Sequence, residues 1–448
     1  MTIKKKNKSI FFSFKSNDEP SKRFNRKFSF PDDYMLDDDC NIYVFLHNFS
    51  EFTTLEKNYF MILIGMKLFN FSKNFNFSIS NLNSKRYLAN VTLGWKLGQY
   101  KFEKFKSKKI LNKKNKNLQV SQSVKDLADV IFLVRDLINT PANLLGPKEI
   151  NDIANDQFKK IVNSKKIYHS SVLKKKFPLI YEVGKAADES KQPILSEFNW
   201  RNKKRGKKKK IIIIGKGVSF DTGGLNLKLG SGMSLMKKDM GGAANCIGLS
   251  KLIIKEEIDV DLKLLLCLVE NSVSSKSMRP SDIVKSRKGT FVEIKDTDAE
   301  GRLIMADALA YACESKPDLI IDLATLTGAS RVALGQEIPS FFCNDKLISQ
   351  KLIKSSEAVG DPLWELPLWK NYSSLLKSQH ADLSNISSGP FGGAITAALF
   401  LEEFVSKNIP WIHIDMMAWT NGNRFCSYQG GEAMGIRALS HLLKEISR

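Results

Sequence analysis

Apolar runs of strand length recur through the second half of the chain, at residues 211–214, 262–269, 319–323 and 411–415. Between or before them, residues 242–254, 302–314 and 395–405 place their apolar positions at helical spacing. Strands without polar alternation need cover on both faces, so the pattern predicts an α/β fold with a mostly parallel central sheet flanked by helices. Just upstream, Leu127, Val130, Ile131 and Val134 fall at i, i+3, i+4, i+7, which predicts a helix over 124–138 that Asn139-Thr140-Pro141 stops.

The first half is patterned differently. From residue 41 to 105, short mixed segments (42–46, 59–63, 87–91) alternate with Asn, Ser and Lys connectors, as in a smaller α/β domain. Residues 106–117 are almost all Lys, Asn and Ser, too polar to repay the entropy of ordering, and read as a linker. The expected division is therefore 1–118, a small N-terminal α/β domain ending in a Lys-rich linker, and 119–448, the main domain. The first forty residues, Lys-rich with isolated Phe and an acidic patch at 32–39, read as loosely ordered.

Composition then excludes several classes. The chain has 448 residues, 43% hydrophobic and 26% charged, an ordinary globular balance. No apolar run approaches the ~18–20 residues of a membrane span, and the lysines at the N-terminus precede too short an apolar stretch for a secretory signal. Six cysteines lie scattered without a C-x-x-C pair and read as reduced thiols, so a cytoplasmic protein is expected. With five histidines and none paired at i, i+4, an H-E-x-x-H zinc protease is ruled out, and any metal must be held mostly by oxygen. Residues 1–210 carry 43 Lys and Arg against 20 Asp and Glu, whereas 211–448 carry 26 against 27. That asymmetry admits a rival reading as a DNA-binding accessory protein using the basic N-terminal half, weighed against solvated faces of a lysine-rich sequence.

The candidate chemistry lies beyond the carboxyl ends of the strands, where open α/β sheets bind ligands. Directly after 211–214 comes G-K-G-V-S-F-D-T-G-G, then Lys228, then Met236-Lys237-Lys238-Asp239-Met240-Gly241-Gly242; further on stands Asp296-Thr297-Asp298-Ala299-Glu300-Gly301-Arg302. The P-loop spacing is absent. Asp239 and Glu300 taken singly read first as helix caps, but four carboxylates interleaved with glycines after strand ends point instead to a hard divalent cation.

These segments resemble the leucyl aminopeptidase (cytosol aminopeptidase) family of two-metal exopeptidases, in that family's order and spacing, and the likeness runs over roughly 125–448. The resemblance implies that Asp221 and Glu300 bridge two divalent ions (Mn²⁺ or Zn²⁺), that Lys216 and Asp239 complete one ion and Asp298 the other, and that the ions share a hydroxide nucleophile. It assigns Lys228 to polarising the scissile carbonyl and Arg302 to holding a bicarbonate that shuttles the proton. Met236, Thr325, Leu326 and Gly328 fall at its substrate-binding positions, and their small apolar character implies N-terminal Leu, Met or similar residues in peptide substrates. The resemblance further implies a hexameric assembly and a variable N-terminal domain. One departure stands out: Asp296 occupies a position where the family usually has Asn.

Overall fold

The computed structural model describes residues 7–13, 34–36, 42–46, 49–71, 76–107, 118–204, 206–422 and 428–447. The linker reading at 106–117 falls almost wholly outside them, as do most of the first forty residues, Cys40 and Cys426. The chain divides into two compact units: Met1–Phe132 with Glu357–Asp361 and Gly422–Tyr428, and Leu133–Ser356 with Pro362–Asn421 and Gln429–Arg448.

In the first unit, strands β1 (Asn7–Ser13), β2 (Tyr34–Leu36), β3 (Ile42–Phe45) and β4 (Asn76–Ile79) form a sheet in the order β2-β3-β1-β4. Strand β1 runs parallel to β3 and β4. Two of the mixed segments of the sequence belong to helices, 59–63 to α1 (Thr54–Phe71) and 87–91 to α2 (Lys85–Leu97), the latter capped by the Ser84 hydroxyl accepting from the Tyr87 N–H. The predicted helix over 124–138 is α3 (Gln122–Asn139).

The second unit is built on an eight-stranded sheet. Its strands are β5 (Ser164–Tyr168), β6 (Ile194–Arg201), β7 (Lys209–Asp221), β8 (Val260–Asn271), β11 (Leu319–Ala324), β12 (Ser340–Cys343), β13 (Trp364–Glu365) and β15 (Trp411–Asp415), ordered β13-β12-β15-β11-β7-β8-β6-β5. The four apolar runs of the sequence are its four central strands, β15-β11-β7-β8, all mutually parallel. Antiparallel strands β12 and β6 flank them, and β5, at one edge, exposes its lysines, which guard an open edge against pairing. A small sheet of β9 (Ile283–Lys285), β10 (Phe291–Glu293) and β14 (Leu383–Ser384) lies apart from the large one.

Helices cover both faces of the central strands. Ile212 and Ile214 share a core with Leu303, Met305 and Leu309 of α5 (Glu300–Glu314), and their alternates Ile211 and Ile213 are fully buried as well. Helix α4 (Gly241–Lys255) packs against β7, β8 and β11 through a glycine: a Cβ on Gly242 would stand 2.1 Å from the Leu323 carbonyl oxygen. The helix expected over 395–405 is Gly393–Glu402, shorter at its far end.

Candidate active site

Lys216 and Asp221 both come from β7. They are an odd number of residues apart, so in a regular strand they would point to opposite faces. Between Val218 and Asp221, however, β7 uses three steps where β8 uses two. This bulge inserts one residue and turns both side chains toward the same side. Beyond it, Asp221 Oδ1 accepts from the Gly223 N–H and the Asn271 amide, each at 2.8 Å, which fixes the carboxylate at the strand end.

The other acids come from a turn, a loop and the first residue of α5. Asp239 follows the turn Met236–Lys238 and caps nothing: its Oδ1 accepts from Thr325 Oγ1 at 2.7 Å, and its carboxylate pairs with Lys216. The turn at 295–298, which leads into α5, is pinned twice. Asp296 Oδ1 accepts from the Asp298 N–H at 2.8 Å, while Asn385, just after β14, takes the N–H of Lys295 and returns its amide to the Asp296 carbonyl. Asp296 thus helps set the position of Asp298 through an oxygen that an asparagine amide would also offer.

Two lysines are threaded among the acids. Lys216 Nζ lies 2.9 Å from both Asp239 Oδ2 and Glu300 Oε1 and donates to the Thr325 carbonyl. It reaches α5 only because residue 301 is glycine: a Cβ there would meet its Cε at 2.6 Å. Lys228 Nζ lies 2.8 Å from Asp221 Oδ2 and also pairs with Asp298. Burial works against both ammoniums, yet the surrounding carboxylates hold their pKa values above the ordinary lysine value. Burial, reinforced by mutual repulsion, also raises the pKa values of the acids. Asp298 rises to about 6, and Glu300 and Asp239 rise as well.

One oxygen each of Asp221, Asp298 and Glu300 lie within 4.8 Å of one another, and Glu300 Oε2 is buried with no hydrogen-bond partner among the described residues. Crowded, desolvated carboxylate oxygens with an unused acceptor form a donor set that suits a hard divalent cation. Arg302 is buried, which lowers its pKa to about 10. Its Nη1 donates to the Asn385 carbonyl at 2.7 Å, and no other hydrogen bond to a protein acceptor is made by its fork among the described residues.

All these groups line a single cavity of about 400 Å³, together with Met236, Thr325, Leu326 and Gly328. Every candidate residue of the sequence therefore borders the same space. Sequence reasoning passed over five others: Asn385, described above, and four more. Lys238 and Arg331 line the cavity, burial pushing the Lys238 amine down to about 8, and neither stood out in a lysine-rich chain. Asn271 and Asp415 end β8 and β15, where strand-end position was a usable signal. Asp415 accepts from the N–H groups of Leu326 and Thr327 and from Thr327 Oγ1, holding the cavity wall in place.

The family profile described as "Cytosol aminopeptidase family, catalytic domain" matches residues 132–440. The chain belongs to the cytosol aminopeptidase family. It is accordingly a hydrolase of the aminopeptidase class. It is 38% identical over 367 residues to the probable cytosol aminopeptidase of Persephonella marina, covering 79% of this chain and 73% of that one. It is 41% identical over 350 residues to the one from Prochlorococcus marinus, covering 75% and 69%. The crystal structure of the Coxiella burnetii cytosol aminopeptidase superposes with a TM-score of 0.87 at 37% identity, covering 99% of this chain and 98% of that one.

Proposed function

We propose that the protein removes N-terminal residues from peptides in a metal-dependent reaction, with Asp221, Asp239, Asp298, Glu300 and Lys216 holding two divalent ions, Mn²⁺ or Zn²⁺. The observation that carries this is the convergence of three carboxylate oxygens within 4.8 Å beside the unpartnered Glu300 Oε2. Such ions supply an activated water and Lewis acidity toward the peptide carbonyl. Lys216 binds an ion only as the neutral amine, so loading the site displaces its proton.

The chain's own residues do the rest. Lys228 stays protonated between Asp221 and Asp298 at the cavity wall and donates to the carbonyl oxygen as negative charge grows on it. Arg302 offers the unused part of its fork to a bicarbonate, which would carry the proton from the nucleophile to the leaving amine. Met236, Thr325 and Gly328 form a side-chain pocket that favours Leu or Met, and the Leu326 carbonyl receives the substrate's amine or amide. The division at 118/119, a hexameric assembly and a cytoplasmic setting complete the proposal.

The test is hydrolysis of Leu-p-nitroanilide and a panel of other aminoacyl anilides with Mn²⁺, with Zn²⁺ and after chelation. Metal-dependent release that fails on N-blocked substrates is expected. Absence of turnover with every residue and both metals, in protein shown to be folded, would overturn the reading.

A further inference from the structure

Two cations at the cavity take no part in the arrangement above. Lys238 is only 3% exposed, Arg331 is half-buried, and both face the cavity. They lie near enough for their charges to oppose each other, and among the described residues neither side chain donates a hydrogen bond or joins an ion pair. The acids nearest Lys238 are already engaged, Asp239 by Lys216 and Thr325, Asp415 by Leu326 and Thr327. A buried cation with no hydrogen-bonded partner, facing a second cation, is costly unless an anion joins it. Their location says which anion. Arg331 Nη2 lies 3.5 Å from where a Cβ on Gly328 would stand, and Lys238 is two residues from Met236; both cations therefore stand at the wall assigned above to the side-chain pocket.

We propose that Lys238 and Arg331 receive the side-chain carboxylate of an acidic N-terminal residue, so that the enzyme releases Glu, and less readily the shorter Asp, in addition to apolar residues. The thioether of Met236 packs on the aliphatic part of either kind of side chain, and the cations meet the carboxylate at its end. The inference rests on the aminopeptidase reading.

The experiment compares kcat/KM for Glu-, Gln- and Leu-p-nitroanilide on the full-length, Mn²⁺-loaded protein. Glu and Gln match in shape, so their ratio reports the charge alone; a ratio of about ten or more is expected, as for a site whose polar groups need that partner. Lys238→Met and Arg331→Met should each lower the ratio about tenfold, and Lys238→Arg should restore much of it. Should a variant fold poorly, inhibition of the unaltered enzyme by free glutamate against free glutamine gives the same reading, with glutamate at least tenfold the stronger. A Glu/Gln ratio at or below one while Leu-p-nitroanilide is cleaved, or a ratio unmoved by both methionine variants, would overturn the proposal. Preference for Leu-Gly over its C-terminal amide without preference for Glu would overturn it too, assigning the cations to the peptide's terminal carboxylate. Failure of all three anilides would instead count against the aminopeptidase reading itself.

Discussion

Gly242→Ala tests how tightly the cavity depends on the packing behind it. The new Cβ would lie 2.1 Å from the Leu323 oxygen, 2.8 Å from its carbonyl carbon and 3.0 Å from Ala324 Cα, all backbone atoms of a central strand. A carbon–oxygen contact relaxes only at roughly 3.3 Å, so α4 must retreat from β11 by about 1 Å. Overpacking of this kind costs about 1–3 kcal/mol. The gain in helix propensity is at most ~1 kcal/mol and is smaller in a first turn. A net loss of about 2 kcal/mol, at about 2–4 °C per kcal/mol for a domain of this order of size, lowers Tm by several degrees. Activity should suffer more, because Asp239 lies just before the helix and Thr325 and Leu326 lie just beyond the strand, so the retreat separates two walls of the cavity. Misplacement by about 1 Å is worth on the order of 10²-fold in rate. The assay is a thermal melt together with kcat/KM on Leu-p-nitroanilide, with Gly232→Ala, whose Cβ would meet nothing within 4 Å, as control. A Gly242→Ala protein with unaltered Tm and turnover would refute the reasoning.

Further outcomes are expected. Lys228→Met should lower kcat by about 10²–10³, the usual loss of one oxyanion donor, read in steady-state kinetics at saturating metal. Mn²⁺ at about 100 times its Kd should stabilise the protein by about 2.7 kcal/mol, and Glu300→Gln should shrink the accompanying rise in Tm in a thermal-shift assay. Asp307, buried where its oxygens accept from the N–H groups of Leu179 and Arg287, is raised by burial from 3.8 to about 7. The folded state thus holds a proton that the unfolded chain has released, and this contribution is full below about pH 3.8 and lost as pH rises toward about 7, by at most ~1.4 kcal/mol per unit. Urea unfolding from pH 5 to 8 should show a flatter slope for Asp307→Ser than for the unaltered protein; equal slopes would contradict the assignment.

The central strands were legible because a strand buried on both faces leaves an unbroken apolar run, as in 211–214 and 319–323. Strand β6 was not: it carries Ser196 and Glu197, both buried but satisfied by Asn151 and Tyr311, so its composition shows no such run. The acids of the cavity were legible because they stand in short motifs at strand ends. The bulge that brings Lys216 and Asp221 to one side left no mark in the sequence, since it exists only relative to β8. Asn385 escaped for a related reason, being almost ninety residues from the loop it pins. In the N-terminal unit, α1 and α2 were seen only as mixed fragments, because α1 is apolar around most of its circumference and offers no clean face.

The parallel pairing of β7, β11 and β15 has a consequence for synthesis. Strand β15 brings Asp415, whose carboxylate holds Leu326 and Thr327 in the cavity wall, yet it is separated by more than a hundred residues from the last motif acid. At ~5–20 residues per second, on the order of 10 s pass between the emergence of Glu300 from a ribosome and that of Asp415. Throughout that interval the acids belong to a growing chain whose cavity has no finished wall. A chain made in this order has its acids in place along the sequence long before the strand that completes the cavity wall has emerged.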